Sequence, residues 1–238
     1  MSTEPITPET TVAAIVRVVP ARSRLLERLG IDYCCGGKKP LAEACRRKGL
    51  DAATVAALLN ALDAGTPDAA EIVPDTLTLS ALCDHIEQVH HEYLRQELPR
   101  LDFMTRKVAA VHGEHEPRLL KIRAVFEQFA TAMTAHTTDE ELRVFPAIRR
   151  LEGPFDATTE AAPLKATLEK LEAEHDGAGA ALEELHELTD NFNPPEWACN
   201  TFRALYDGLK ALDRETHQHV HKENNVLFPR ALSTCGAA

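Results

Sequence analysis

The chain has no apolar run approaching the ~20 residues that a membrane-spanning helix requires. Its opening, MSTEPITPET, has neither the basic start nor the apolar core of a secretion signal. These two absences argue against a helical membrane protein and predict a cytoplasmic one. Positive charge is also in deficit: 26 Lys and Arg against 37 Asp and Glu leave a net charge of −11 at pH 7, spread along the chain rather than gathered in a tail. Unspecific binding to a phosphate backbone needs Lys and Arg to displace counterions, so nucleic acid is not an expected partner. Glycine and proline are few, 11 and 14 of 238 residues, and long disorder is not expected. No segment alternates apolar and polar residues with period two, which leaves helices as the only regular structure to consider.

Six cysteines are present, Cys34, Cys35, Cys45, Cys83, Cys199 and Cys235. A disulfide frame belongs to short secreted chains. In a reducing compartment, free thiols, redox chemistry or metal binding are the better readings.

The length allows one large domain or a large and a small one. Residues 11–63 contain four short helical pieces, TVAAIVRVVP, ARSRLLERLG, PLAEACRRKG and DAATVAALLNALDAG, punctuated by Pro20, Gly30, Pro40 and Gly49. GTPDAAEIVPD, over 65–75, then reads as a linker. The expected organisation is a small helical domain over 1–64, the linker over 65–75 and a larger domain over 76–238. The larger domain holds four long helical segments: A at about 78–112 with a kink at Pro99, B at about 118–149, C at about 163–190 and D at about 196–231. Short connections between long helices imply antiparallel neighbours, hence an all-α, up-down-up-down four-helix bundle.

One skeleton occurs twice. HTTDEELRVFP at 136–146 and HVHKENNVLFP at 219–229 each read His, three residues, Glu, four residues, Phe-Pro. On a helix, positions i and i+4 lie on one face about 6 Å apart. His136 with Glu140 on B, and His219 with Glu223 on D, therefore each present an imidazole and a carboxylate in one direction. Such pairs can converge on metal inside a bundle, where an uncompensated carboxylate would be costly. A single His-x3-Glu is ordinarily a solvated face; its repetition with the same Phe-Pro is what points to a site. The Phe is read as a core aromatic and the Pro as bending or ending the helix.

A site in the bundle also needs ligands from A and C at the same height. Counting ~1.5 Å of rise per residue from the loops places His91 and His175 near that level. Helix D fits less well, because 23 residues separate Glu196 from His219 against 15 from His175 to Asp190, so either NFNPPEW runs partly back or D starts later. His112 falls at the far end of A, out of reach. His85, His90, His115, His186, His217 and His221 are expected at the surface or behind the ligands. Four imidazoles and two carboxylates suit a borderline metal rather than calcium or magnesium. Zinc would need fewer groups. Two irons bridged by Glu140 and Glu223, each with two histidines, use every ligand.

The ordered set His91, His136-x3-Glu140, His175 and His219-x3-Glu223 resembles the hemerythrin-like domain. HHEYLRQELPRL, EHDGAG, NFNPPEWACNTFRALYDGL and HKENNVLFPRAL resemble its repair-of-iron-centres branch, and IDYCCGGKKPLAEACRRKGL resembles that branch's small N-terminal domain. The resemblance spans nearly the whole chain. It implies a labile, oxo-bridged non-haem di-iron centre, held by His91, His136, Glu140, His175, His219 and Glu223. It implies a function in restoring iron-sulfur clusters damaged by nitrosative or oxidative stress, by giving up iron. The partners it implies are damaged iron-sulfur proteins, with nitric oxide or oxygen as small ligands; a homodimer is compatible with it. A redox enzyme acting on nitric oxide, nitrite or peroxide, or an oxygen or nitric oxide sensor, is the alternative. Oxygen-carrying hemerythrins have a further histidine one turn after the helix C ligand; here that position is Gly179, which argues against oxygen carriage.

Cys34 and Cys35 precede Gly36-Gly37 and so are expected in a turn. A disulfide between adjacent residues is a strained ring, suited to a redox switch rather than a staple. Lys38 and Lys39 are expected to favour thiolate. Two half-buried small residues would be the plain reading; the resemblance favours reactive thiols that accept nitrosyl groups or contact iron in transit. Cys45 can be read as joining them, and Cys83, Cys199 and Cys235 as bystanders. Gly177 and Gly179, inside a helical segment without a preceding strand, do not form a dinucleotide loop. They leave space beside the centre, for helix packing or for the path of a small ligand.

Overall fold

A computed structural model describes residues 5–62, 74–153 and 157–236, without the side chains of 157–159. The regular structure of the described residues is helical, and their only β feature is an isolated bridge between Thr11 and Pro40. The small unit comprises α1 Val12–Val18, α2 Ser23–Arg28, α3 Leu41–Arg47 and α4 Ala52–Ala61. These match the four pieces read from the sequence, and α4 begins where the Asp51 carboxylate accepts the Thr54 N–H at 2.7 Å. Ile15, Leu26, Leu41 and Leu59 are buried in a core of its own. Of the expected linker, residues 65–73 lie outside the described residues, and Pro74–Thr76 forms one 3-10 turn.

The bundle helices are built in pieces. Helix A is α5 Leu79–His85, a π-helical segment Ile86–His91 and α6 Glu92–His112. Helix B is α7 Arg118–Asp139, a π segment Glu140–Val144 and α8 Phe145–Arg150. Helix C is α9 Ala157–Leu188 alone, and helix D is α10 Asn200–Lys222, a π segment Glu223–Leu227 and α11 Phe228–Thr234. Helix A starts where the Thr78 hydroxyl accepts the Ala81 N–H at 3.1 Å. Glu152, just past the end of B, accepts the Leu79 N–H at 2.6 Å and binds the two helix ends together. Antiparallel order follows from the ion pairs: Arg149 to Asp84 at 2.6 Å, Arg95 to Glu141 at 2.7 Å and Arg123 to Asp102 at 2.8 Å, A rising as B falls. B packs next to C, and D next to both A and C, which closes the ring.

Three local expectations are refined. Helix D begins at Asn200, the later start that the height mismatch had allowed, and this shortens the mismatch by four residues. The chain between C and D turns instead through Asp190, Asn191 and Phe192, all at positive φ between 52° and 59°. Helix C begins at Ala157, so Pro163 lies inside it. Of the two outcomes expected at Phe-Pro, bending the helix or ending it, the second does not occur. Phe145 and Phe228 are fully buried as expected, but the π turn before each lets the helix continue past Pro146 and Pro229. A proline ring crowds the carbonyl four residues back and offers it no N–H. The wider turn relieves both conflicts, and such turns recur at functional sites.

The bundle interior is divided. One apolar cluster runs through Leu94–Ala109 of A, Leu119–Met133 of B, Ala178–Leu185 of C and Phe202–Leu212 of D. A second takes Leu79–Ile86, Val144–Leu151, Leu164–Leu171 and Val226–Cys235. The gap between them falls at one level in every helix, and that layer contains His91, His136, Glu140, His175, His219 and Glu223. No helix among the described residues is long and apolar enough to cross a membrane.

Candidate metal centre

All six side chains named from the sequence point into this layer, and each is at most 5% exposed. They form two groups of four donors: His91, Glu140, His219, Glu223, and His136, Glu140, His175, Glu223. Within each group the donor atoms all lie within 4.8 Å of one another. Glu140 and Glu223 belong to both. Glu223 turns Oε1 to His219 Nε2 at 2.8 Å and Oε2 to His175 Nε2 at 3.2 Å. Glu140 Oε2 stands 3.4 Å from His91 Nε2 and 3.3 Å from His136 Nε2.

The far side of three rings fixes which nitrogen faces the layer. His91 Nδ1 donates to Glu141 at 2.8 Å, His136 Nδ1 to Glu174 at 2.9 Å and His175 Nδ1 to Asn224 at 2.7 Å. With the proton assigned to Nδ1 by these acceptors, the Nε2 lone pair is left for a cation. Yet His91 Nε2 lies 3.2 Å from His219 Nε2, and His136 Nε2 lies 2.9 Å from His175 Nε2. Both Glu140 oxygens and Glu223 Oε2 are buried without a hydrogen-bond partner. Lone pairs facing lone pairs, beside orphaned buried carboxylates, are unfavourable unless a cation lies among them. The donor set therefore fits a pair of metal ions.

Protons compete with a cation for these donors. Burial alone would lower His91, but its contacts with Glu140 and Glu223 outweigh that and raise it to about 10. His175, likewise penalised by burial, is raised to about 9 by Glu223, Glu140 and Asn224. Burial and the neighbouring Glu223 push the Glu140 carboxyl up. Metal binding must displace such protons.

The residues that hold the ligands were missed from the sequence, although they follow a simple rule. Glu141, Glu174 and Asn224 each adjoin a candidate ligand in the chain, yet each orients a ligand of the neighbouring helix. His90, beside His91, completes the circuit by stacking on His219 with ring centres 5.5 Å apart. It accepts from Lys222 Nζ at 2.9 Å, and its burial and that cation hold it well below the usual histidine range. His90 and His221, expected at the surface or behind the ligands, are both buried.

The thiol turn docks onto this layer. Cys35 Sγ lies 3.4 Å from the His175 carbonyl, and Asn225 Nδ2 donates to the Cys34 carbonyl at 3.0 Å. Three consecutive residues of D therefore face, in turn, the donor cluster, the back of His175 and the thiol turn. Both thiols are free, 3.7 Å apart. The expectation that Lys38 and Lys39 favour thiolate is corrected at Cys34. Lys38 pairs with Glu172 at 3.1 Å, and Cys34 is pushed well above the usual thiol range by Cys35, burial and Asp32. Gly177 faces open space and does not serve packing, whereas a Cβ on Gly179 would touch Cys35 Sγ at 3.7 Å. Cys45, Cys83 and Cys235 are buried away from the turn's sulfurs, and exposed Cys199 meets His112 Nε2 at 3.3 Å, at the opposite end of the bundle.

Comparison with known sequences agrees with this geometry. Residues 83–231 match the profile of the hemerythrin HHE cation binding domain, and residues 8–63 match a domain described as of unknown function, DUF542. The iron-sulfur cluster repair protein ScdA of Staphylococcus haemolyticus is 35% identical over 225 residues, covering 94% of this chain and 98% of the relative. The iron-sulfur cluster repair protein YtfE of Yersinia pseudotuberculosis is 35% identical over 221 residues, covering 93% and 96%. The cation-binding bundle, the matched N-terminal domain and the near-complete coverage together place this chain in the hemerythrin-domain family of iron-sulfur cluster repair proteins.

Proposed function

We propose that the protein holds a non-haem di-iron centre and restores iron-sulfur clusters damaged by nitrosative or oxidative stress, by supplying iron. The observation that carries this reading is the sharing of Glu140 and Glu223 by two four-donor groups, an arrangement that calls for two ions. His91 and His219 would hold one, His136 and His175 the other, with the carboxylates common to both. Bound iron supplies redox change and an exchangeable cation. The chain's own residues set how firmly it is held: Glu141, Glu174 and Asn224 fix the imidazoles, and the apolar layers above and below exclude water. Cys34 and Cys35 act as redox or transfer thiols, a role supported by the contact of Cys35 with the His175 backbone. The clients are iron-sulfur proteins that have lost iron.

The test combines iron counting with cluster restoration on an apo-ferredoxin. A donor loses iron in proportion to the clusters it restores. Retention of all iron through many rounds of reduction of nitric oxide or peroxide would refute donation and favour a redox enzyme.

A further inference from the structure

Between the thiol turn and helices C and D lies a small cavity of about 10 Å³, lined among others by Cys34, Cys35, His175, Gly179 and Thr216. That is room for one water-sized particle. Thr216 is 2% exposed, and its hydroxyl has no hydrogen-bond partner. A buried hydroxyl left unpaired beside a cavity calls for a ligand in it. Gly179, without a side chain, forms part of its wall.

Two of its lining residues, Cys34 and Cys35, belong to a group of three donors. The carboxylate of Asp32 and the sulfurs of Cys34 and Cys35 all lie within 4.8 Å of one another. Cys34 Sγ is 3.1 Å from Asp32 Oδ1 and 3.7 Å from Cys35 Sγ. Two thiolates on one tetrahedral ion, at the usual metal-sulfur distance of ~2.3 Å, stand about 3.8 Å apart. The turn is therefore already set for chelation. Asp32 is fixed in place by accepting the Cys34 N–H at 2.8 Å and the Gly36 N–H at 2.7 Å. Asn225 holds the turn from the bundle side.

We propose that Asp32, Cys34 and Cys35 form a third metal site, for a single thiophilic divalent cation, separated from the bundle centre by one residue, His175. Thiolate donors select soft and borderline ions over magnesium and calcium. The identity of the cargo as ferrous iron rests on the function proposed above; the site itself does not. On binding, each thiol releases one proton to solvent, no electron moves, and the dication becomes a complex of two thiolates and one carboxylate.

Cadmium is a suitable probe. Iron-loaded, reduced protein carrying Cys199→Ser, which removes the exposed thiol, is titrated with Cd²⁺ without oxygen. The expected result is one Cd²⁺ per chain, a thiolate-to-cadmium charge-transfer absorption, two sulfur neighbours by X-ray absorption, and unchanged iron. Adding Cys34→Ser and Cys35→Ser abolishes this binding while iron and helix content stay the same. Asp32→Asn, which keeps an oxygen for the turn, weakens it by about tenfold or more, the scale at which even the partners of metal ligands act. Equal cadmium binding by the double serine variant, equal affinity in Asp32→Asn, or uptake only at the expense of iron overturns the proposal. Cadmium bound as described in a protein that restores no clusters would uphold the site and refute the proposed function, so the two failures are separable.

Discussion

The two sides of the donor layer share their carboxylates but not their surroundings. The His91 and His219 side is backed by Glu141 with Arg95 and by His90 with Lys222, all from the bundle. The His136 and His175 side is backed by Glu174 and Asn224, and His175 touches the N-terminal unit through Cys35. One side is backed by residues of the bundle; the other also touches the thiols. The difference teaches that a nearly symmetric cluster can be made to behave asymmetrically by what lies one contact further out. Exchange of metal with the thiols should run through the second side.

The largest effect separates shared from unshared ligands. Glu140→Ala or Glu223→Ala should strip both sides, so that iron falls from two per chain to near none. His219→Ala or His136→Ala should leave about half the iron. Loss of the ions should also lower thermal stability, because a ligand present at a thousand times its dissociation constant contributes about 4 kcal/mol. Equal iron loss in all four variants would show that the carboxylates are not shared.

Next come the residues behind the ligands. Glu141→Gln and Asn224→Ala should each reduce iron affinity by about 10- to 100-fold, as loss of a ligand's orienting partner does. Iron release to a chelator should be the discriminating measurement. Asn224→Ala should speed release while thiols are blocked or free alike, whereas Asn225→Ala should keep the iron and raise the rate at which Cys35 is alkylated. An unchanged alkylation rate would remove the link between helix D and the thiol turn.

How much of this the sequence made legible follows from the range over which each feature is encoded. Helical periodicity and the repeated His-x3-Glu are local, so the four helices and the six donors could be read directly. His91 and His175 needed only helix rise in addition. The π turns were not legible, because Phe-Pro after an i, i+4 pair is as compatible with a helix end as with a widened turn. The start of helix D was obscured because the three left-handed residues Asp190, Asn191 and Phe192 are not glycines. Glu141, Glu174 and Asn224 had a signal, adjacency to a ligand, but their targets lie on other helices. The docking of Cys35 on His175 joins residues 140 apart, and no local pattern announces it.

The smallest effect concerns the joint between C and D below the layer. His186 Nε2 pairs with the Asp213 carboxylate at 3.2 Å, and that bond raises its pKa above the ordinary value. A raised histidine contributes stability that is complete below its unfolded pKa of about 6.5 and is lost as pH rises through the folded value. The pair is partly exposed, so the contribution should be below about 1 kcal/mol. His186→Gln should therefore lower the unfolding midpoint slightly at pH 6 and not at pH 9; an equal loss at both would assign the effect to packing.

The proposed centre is two groups of donors that share two carboxylates around a pair of irons. Mössbauer spectroscopy with iron quantification on the purified protein tests it most directly. Two coupled high-spin irons per chain are predicted. A single uncoupled iron, or zinc in its place, would contradict the account.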